Sequence, residues 1–381
     1  MKKVVWLSMV MVITVSLVFG IFGCAQPEPA PEPAPVPAPA PAPDPAPAPD
    51  PAPAPAAPIT LKVASPQPEQ APPCIFVKSW ADDVEKRSNG RVTFEYFWAG
   101  SLTKPGEGLD AVKVGLVDVQ HAPFDYYPDK LPLASMTISL PFGPEDMEQQ
   151  RQLWEKMFEH PAMLNDIERY NAKLLAVGPV APFAMGAKEP VLTVAEFDGR
   201  KVGCTGAYMP ILLEAVGAAP VTTPAPARYQ ALQTGVMDSH IIGFDAHYKF
   251  KTYEVANHIT RLGVWTTVPG DIIVNQDTWN ELPADIQDIM VEAAKDAELN
   301  NVKSLNAIME EGTKVITEAG GSVSDFPAKE RQMWAELLPN FHAQWTQDMN
   351  AKGLPGTELM KLYKSVCQEM GHEFPLEWPV D

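Results

Sequence analysis

The sequence contains few cysteines and, after its first 22 residues, no long apolar run. Only four of the 381 residues are cysteines, and Cys24 lies in the leader, which leaves three for the rest of the chain. Three cysteines cannot form a disulfide framework, so we expect them to be buried as small apolar side chains. Without a second apolar run of roughly 20 residues, the chain is not predicted to cross a membrane repeatedly.

Basic residues are scarce as well. The chain has 29 lysines and arginines against 48 aspartates and glutamates, which gives a formal net charge of −19. This charge repels nucleic acid and anionic lipid headgroups, so neither is predicted as a partner.

Sequence signatures of catalysis are also absent. There is no G-x-S-x-G elbow, no H-E-x-x-H zinc motif, no Walker glycine loop and no dinucleotide fingerprint. A repeated D-x-H pattern ends at His240 and at His247, but two histidines at this spacing on one helix lie roughly 10 Å apart, too far to share a metal. The sequence predicts no catalytic residue, no metal and no cofactor, and therefore not an enzyme.

The N-terminus is typical of an export signal. A positively charged start precedes an apolar run that ends at Phe22, and the following Gly23 and Cys24 complete a segment that resembles a bacterial lipobox. We expect residues 1–23 to be a cleaved signal peptide and Cys24 to be lipidated, with an uncleaved membrane anchor as the alternative. Either arrangement predicts an extracytoplasmic, periplasmic protein anchored to a bacterial membrane.

Residues 24–58 form a predicted tether. From Pro27 to Pro58 almost every second residue is proline, and alanine, glutamate and aspartate fill most other positions. Proline fixes φ and has no N–H donor, so this composition excludes helix and sheet and predicts polyproline II. At about 3.1 Å per residue, the tether would reach roughly 100 Å from the membrane.

The segment after the tether opens with a strand, a helix and a second strand. ITLKVAS alternates apolar and polar residues from Ile59, and RVTFEYFW is rich in β-branched and aromatic residues. The helix between them carries a predicted apolar face made of Ile75, Val77, Trp80 and Val84. Strand, helix and strand in this order predict an α/β fold with parallel strands.

An internal repeat extends this pattern to a second half of the chain. LDAVKVGLVD at 109–118 and YQALQTGVMD at 229–238 share an alanine, a glycine and a final aspartate at matched positions. Each segment is typical of a helix end, a C-cap glycine and the entry to a strand, with Asp118 and Asp238 as local turn residues. Two similar lobes leave a cleft between them, where a small ligand usually binds.

A long helix is predicted from Pro283 to Ala319. Apolar residues recur there at helical spacing, Pro283 suits the first turn, and Gly320 and Gly321 follow the last. At about 1.5 Å per residue the helix would be about 55 Å long, enough to cross both lobes. Gly312 offers a place for it to bend.

Together these features resemble a known family. The motifs GLVD, LPFGP, VAEFDGRKV and above all RYQALQTGVMD look like those of the solute-binding subunits of tripartite ATP-independent periplasmic (TRAP) transporters, over about residues 59–350. The resemblance implies a two-lobed periplasmic solute-binding fold, with a central cleft that closes on a small organic acid and a long helix that crosses both lobes. It also implies delivery of the solute to membrane subunits for uptake driven by an ion gradient.

The resemblance also sets the predicted domain boundaries. The lobes are expected to pivot near Pro182 and Leu262. After the signal peptide and the tether, the predicted units are one lobe of 59–182 with 262–302, a second lobe of 183–261 with 303–355, and a C-terminal extension of 356–381.

Three positions depart from what the resemblance implies for the binding site. Family members usually place an arginine that binds the ligand carboxylate where this chain has Gly203. Some carry a second arginine where it has Phe183, and many have an asparagine where it has Ile242. No other side chain copies the two parallel hydrogen bonds that arginine donates to a carboxylate. The pocket is therefore predicted to be roomier and more apolar than is usual in the family.

Two ligand classes remain open. In the preferred interpretation the ligand is a bulky or aromatic acid whose carboxylate is held by Arg228, His240, Tyr208 or backbone N–H groups. In the alternative it is a neutral or amphipathic solute selected by burial, and the receptor serves an ABC importer or a sensor. Phe124 and Tyr126 complete the predicted ligand-binding set. Core packing is the alternative for these aromatics, and a solvated helix start is the alternative for Arg228.

Overall fold

The computed structural model describes residues 57–136, 140–205, 208–265 and 270–380. The predicted signal peptide, the lipidation site Cys24 and almost all of the tether lie outside these residues. Within the described ranges, no helix combines the length and the apolar character needed to span a membrane. The thiols of the described part are all buried and unpaired, as predicted: Cys74, Cys204 and Cys367.

Two β-sheets organise the described residues. Their strands are β1 (Ile59–Ala64), β2 (Val92–Phe97), β3 (Val119–Gln120), β4 (Ala172–Gly178), β5 (Phe183–Ala187), β6 (Lys201–Cys204), β7 (Ala219–Thr222), β8 (Ser239–Gly243), β9 (His258–Arg261), β10 (Gly270–Asn275) and β11 (Ser322–Asp325). The five-stranded sheet has the order β2-β1-β3-β10-β4, and the six-stranded sheet has the order β11-β9-β5-β8-β6-β7. We call each sheet with its helices the first and the second lobe.

The helices cover both sheets. They are α1 (Pro72–Arg87), α2 (Gly108–Lys113), α3 (Met147–Phe158), α4 (Pro161–Glu168), α5 (Met209–Glu214), α6 (Arg228–Gln233), α7 (Phe244–Lys249), α8 (Gln276–Glu281), α9 (Ala284–Glu318), α10 (Ala328–Leu337), α11 (Phe341–Ala351) and α12 (Gly356–Glu369). The α/β class predicted from the strand and helix patterns is confirmed.

The two lobes repeat one topology. In the first lobe β1 pairs in parallel with β2 and β3, and in the second lobe β6 pairs in parallel with β7 and β8. The next strand across each sheet is antiparallel: β10 pairs with β3 in the first lobe, and β5 pairs with β8 in the second. The chain passes between the sheets after β4 and again after β9. The internal repeat seen in the sequence is therefore a repeat of structure.

The repeat extends to single hydrogen bonds. Asp118 accepts a bond from the backbone N–H of Lys62 at 2.8 Å, and Asp238 accepts one from that of Lys201 at 3.0 Å. Gly115 and Gly235 lie three residues before these aspartates, and both have positive φ, +68° in the first lobe and +73° in the second. Only glycine adopts this conformation at little cost, which explains its place in both segments. Both aspartates were predicted as local turn residues, whereas their side chains accept bonds from the backbone of strands 56 and 37 residues earlier in the chain.

One side chain of the first predicted helix was assigned to the wrong face. Ile75 is 44 % exposed, whereas Cys74 and Phe76 are buried beside Val77 and Trp80. Helix α1 begins at Pro72 and buries residues three or four positions apart, and Ile75 lies off this stripe. The strands on either side of the helix, β1 and β2, are where the sequence predicts them.

Helix α9 confirms the predicted long helix and packs against both lobes. Its N-terminal half contributes Met290 and Ala293 to the core under the first sheet. Its C-terminal half contributes Leu305 and Ile316 to a core with residues of the second sheet. A Cβ on Gly312, where the sequence offers a place to bend, would lie 3.2 Å from the ring of Phe244. The glycine therefore allows α7 to approach α9 closely.

The C-terminal residues pack into the fold. Leu359, Met360 and Tyr363 of α12 are fully buried in the main core of the first lobe. After this helix, His372 Nε2 lies 2.8 Å from the carbonyl oxygen of Phe142. The segment predicted as an extension, 356–381, thus contributes apolar contacts to the first lobe.

Candidate ligand-binding site

A cavity of about 330 Å³ lies between the two lobes. Its walls come from the loops after β1, β2 and β3 in the first lobe and after β6, β7 and β8 in the second. Small ligands bind at such carboxyl ends of parallel strands in open α/β sheets. Seven of the twenty lining residues are prolines, so the walls are largely apolar and conformationally stiff. The repeated topology thus places two equivalent sets of loops face to face.

Three of the predicted ligand-binding residues line this cavity. Tyr126 comes from the first lobe, and Phe183 and Ile242 come from β5 and β8 of the second. Desolvation raises the pKa of Tyr126 to about 12, so its hydroxyl stays protonated and can donate a hydrogen bond. These three residues supply an apolar surface with one polar group.

Two predicted aromatics do not reach the cavity. Phe124 is fully buried in the core of the first lobe, with its ring centroid 5.8 Å from that of Phe158. Tyr208 is half-buried against the core of the second lobe, directly before α5. Both are corrections to the predicted ligand-binding set. Alternating apolar sequence does not distinguish a side chain in the core from one in the cleft.

The space beside Gly203 is filled from within the second lobe. A Cβ on this glycine would overlap the sulfur of Met237 and would lie 3.1 Å from Cβ of His240. Both neighbours are buried, so the absence of the family arginine leaves no opening into the cavity. The prediction of extra room at Gly203 is wrong, because a methionine from the adjacent strand segment occupies it.

Gly203→Val is expected to lower the free energy of unfolding by about 1–3 kcal/mol, because the larger side chain overlaps packed neighbours. Chemical denaturation measures this loss. The double variant with Met237→Ala should recover part of it by making room. If Gly203→Val alone leaves the unfolding midpoint unchanged, the space beside this residue is open, contrary to the structure.

Arg228 is buried, with 1 % of its surface exposed. It begins α6, and its Nε donates to the carbonyl of Thr223 at 3.0 Å while Nη1 donates to the carbonyl of Ile241. Each acceptor is the sequence neighbour of a cavity-lining residue, Pro224 or Ile242. The guanidinium is therefore bonded to the two segments that carry these lining residues. The alternative of a solvated helix start is wrong, since the side chain folds inward to these two carbonyls.

The charge of Arg228 has no counter-ion. Among the described residues, its Nη2 has no hydrogen-bond partner and no carboxylate forms an ion pair with it. Burial lowers the pKa of Arg228 to about 10, which still leaves it protonated at neutral pH. A buried cation with incomplete hydrogen bonding is costly unless an anion completes it. Its charge favours a carboxylate in the cavity.

His240 and His247 are closer together than a single helix would place them. His240 lies on β8 and His247 on α7, and their ring centroids are 4.5 Å apart. His247 contacts Thr252 and the carbonyl of Ala184, whereas neither ring nitrogen of His240 has a partner in the described part of the chain. Burial lowers the pKa of both histidines, so both are neutral. His240 does not line the cavity and contacts Gly203 instead.

Sequence reasoning misses five polar residues of the cavity, namely Gln67, His121, Asp125, Thr205 and Asp245. Asp125 stands between two residues of the predicted set, and Asp245 belongs to the D-x-H pattern that was considered for a metal. A signal was therefore present for both aspartates, although it pointed to other roles.

His121 belongs to a neutral network in the wall of the first lobe. Its Nδ1 lies 3.0 Å from the hydroxyl of Ser65, and its Nε2 lies 3.8 Å from Oδ1 of Asp271. Burial lowers the pKa of His121 to about 3 and raises that of Asp271. His121 therefore adds no positive charge to the cavity.

Two similar α/β lobes, a cavity at their strand ends and one helix across both define a two-lobed solute-binding protein. The model of the family described as bacterial extracellular solute-binding protein, family 7 (DctP) matches residues 63–348, most of the chain. The chain belongs to this family, and its resemblance to the solute-binding subunits of TRAP transporters is confirmed.

Individual relatives agree with this assignment. The chain is 26 % identical over 326 residues to the C4-dicarboxylate-binding periplasmic protein DctP of Rhodobacter capsulatus, covering 78 % of this chain and 89 % of the relative. A crystal structure of a TRAP periplasmic solute-binding protein from Desulfovibrio salexigens matches with a TM-score of 0.73 and 23 % identity, over 83 % of this chain and 98 % of that one.

A further solved structure comes from a marine metagenome. It is a TRAP solute-binding protein specific for aromatic acid ligands, in complex with metahydroxyphenylacetate. It matches with a TM-score of 0.72 and 26 % identity, over 82 % of this chain and 99 % of that one.

Proposed function

We propose that this protein is the extracytoplasmic receptor of a TRAP transporter and that it captures a bulky or aromatic organic acid between its two lobes. It then delivers the acid to the membrane subunits for uptake driven by an ion gradient. The observation that carries the proposal is the buried guanidinium of Arg228, which has no ion-pair partner in the described structure and is bonded to carbonyls next to two residues that line an apolar cavity.

Arg228 takes the place of the arginine that family members carry where this chain has Gly203. Its side chain starts from α6 rather than from β6 and bonds to the carbonyls of Thr223 and Ile241 in the second lobe. A charge-assisted hydrogen bond to a carboxylate is stronger in a low-dielectric site than at the surface. The ligand carboxylate is thus attracted to the wall formed by Pro224 and Ile242.

The cavity wall supports a bulky or aromatic ligand body. Phe183 and Tyr126 offer ring surfaces from opposite lobes, and the prolines between them are stiff. A flat apolar ligand loses little freedom when it binds such preformed walls. The marine relative that binds metahydroxyphenylacetate is 26 % identical and shares the fold, which favours the same ligand class for this chain.

Closure of the lobes is the proposed response to the ligand. The ligand contacts both lobes, which pivot near Pro182 and Leu262 while α9 stays packed against each. Only a ligand with differential contacts in the closed state shifts this equilibrium. The proposed domain boundaries are those predicted from the sequence.

A lipid on Cys24 is the proposed anchor. The segment before this cysteine has the pattern of a lipoprotein signal, and the proline-rich tether after it separates the lobes from the membrane. Mass spectrometry of the membrane fraction would detect a diacylglycerol-modified N-terminal peptide in the wild type and lose it in Cys24→Ala. An intact N-terminal peptide that begins at Met1 would instead indicate an uncleaved anchor.

Thermal unfolding of the purified protein tests the ligand class. Aromatic acids such as 3-hydroxybenzoate and 3-hydroxyphenylacetate are expected to raise the midpoint, while their amides, which lack the charge, do not. At 100 times its dissociation constant, a ligand stabilises the folded state by about 2.7 kcal/mol. If amides and acids stabilise equally, the site selects neutral solutes, and the proposed role of Arg228 is wrong.

A further inference from the structure

The cavity contains carboxyl groups from both lobes. Asp125 lies on the wall of the first lobe and Asp245 on the wall of the second, and among the described residues that line the cavity there is no lysine or arginine. A receptor for a simple acid would be expected to keep carboxyl groups away from its ligand, because like charges repel. These two aspartates therefore require an explanation beyond the binding of a carboxylate.

Asp245 is held in place by the backbone around it. Only 2 % of its surface is exposed, and Oδ1 accepts a hydrogen bond from the N–H of Ala246 at 2.8 Å. A Cβ on Gly243, which also lines the cavity, would lie 2.7 Å from this oxygen, so the glycine leaves space for the carboxyl group. The other oxygen, Oδ2, has no hydrogen-bond partner among the described residues. One buried acceptor of a residue that lines the cavity is thus unsatisfied.

Arg228 and Asp245 of the second lobe do not pair with each other in the described structure. Nη2 of Arg228 and Oδ2 of Asp245 each lack a hydrogen-bond partner among the described residues. Burial of unpaired charges costs free energy, which a molecule with complementary charges would recover on binding. The same desolvation raises the pKa values of Asp125 and Asp245 to about 7, so a bound cation would keep both ionised.

We infer that the ligand is zwitterionic: an acid whose carboxylate faces Arg228 and whose protonated amine faces Asp245, with Asp125 of the opposite lobe contacting the same amine. The inference rests on the proposed function and narrows its ligand class from acids to amine-bearing acids. It also supplies the contact between lobes that closure needs, because one ammonium group has carboxylates on both sides. The chemistry required is a primary amine or another cationic nitrogen on an apolar body.

Calorimetric titration with four molecules of one shape tests the inference. 3-(Aminomethyl)benzoate carries both charges, and 3-(hydroxymethyl)benzoate replaces the amine with a neutral polar group. 3-Methylbenzoate carries only the carboxylate, and 3-methylbenzylamine carries only the amine. The zwitterion is expected to bind at least tenfold more tightly than the other three. If 3-methylbenzoate binds as tightly as the zwitterion, the inference is overturned while the proposed function stands. If no acid of the series binds, both fail.

Isosteric variants locate the amine. Asp245→Asn keeps the bond to Ala246 and is expected to remove the tenfold preference for the zwitterion while affinity for 3-methylbenzoate changes less than threefold. Asp125→Asn, at a half-buried position, should reduce the preference in the same direction. The exposed Asp129→Asn in the same loop is the matched control and should change neither affinity. A preference that persists in both Asp125→Asn and Asp245→Asn would overturn the assignment.

Discussion

Arg228→Gln is expected to weaken the binding of an organic acid on the order of 100-fold. Loss of one partner of a buried, hydrogen-bonded charge pair costs about 2–5 kcal/mol, and every 1.4 kcal/mol corresponds to about a tenfold change in affinity. Glutamine retains an amide donor for the carbonyl of Thr223 or Ile241 but carries no charge. Calorimetric titration of the wild type and the variant measures the difference.

Two further variants separate charge from geometry in this experiment. Arg228→Lys keeps the charge but cannot donate to both carbonyls and to a ligand in the same fixed planar arrangement, so an intermediate loss of about tenfold is expected. Arg200→Gln removes a charge from the surface of the same lobe, where Arg200 donates to the carbonyl of Glu196, and should bind like the wild type. Wild-type affinity in Arg228→Gln, with an unchanged melting temperature, would show that the carboxylate is held elsewhere.

Trp334→Ala is expected to lower the free energy of unfolding by about 3–5 kcal/mol. The side chain is fully buried in the second lobe, and its Nε1 donates to the carbonyl of Leu212 at 3.0 Å. Its ring centroid lies 4.7 Å from that of Phe197 and 5.6 Å from that of Trp265. Truncation would leave a large cavity and one unsatisfied carbonyl in the lobe that carries Arg228.

Denaturant titration of Trp334→Ala measures this loss, and Met333→Ala is the neighbouring control. Met333 is 41 % exposed on the same helix, so its truncation should change the stability by no more than about 0.5 kcal/mol. Equal effects of the two substitutions would contradict the packing of the second lobe described above.

Much of the fold could be predicted because its signals are local. The alternation from Ile59, the helical spacing within α9 and the glycine before Asp118 each depend on residues close in sequence. The repeat of YQALQTGVMD then linked two distant segments without any knowledge of their contacts. Local periodicity was therefore enough to predict the helices and strands, and the internal repeat was enough to predict two similar lobes.

The binding site was less predictable because it depends on contacts between distant residues. Arg228 is buried only because the carbonyls of Thr223 and Ile241 turn toward it, and no spacing in the sequence encodes that. Likewise, the sulfur of Met237 fills the space beside Gly203, which the loss of an arginine had suggested would be empty. A small residue at a position where the family has a large one predicts a cavity only when no neighbouring side chain fills the space.

The aspartates illustrate the same difficulty. Asp245 stands in a pattern that could indicate a metal, and only the structure shows that this residue lines a cavity and has one buried oxygen without a hydrogen-bond partner among the described residues. Asp125 lies between two aromatics that the sequence places near the cleft, yet Phe124 enters the core while Tyr126 and Asp125 line the cavity. Neighbours in a short helical turn point in different directions, which composition alone does not resolve.

A crystal structure with the acid that gives the largest thermal shift would test the central claim most directly. Our account predicts that the acid lies in the cavity, with its carboxylate toward Arg228 and its apolar body between Phe183 and Tyr126. An acid bound outside this cavity, or one whose carboxylate points away from Arg228, would contradict it.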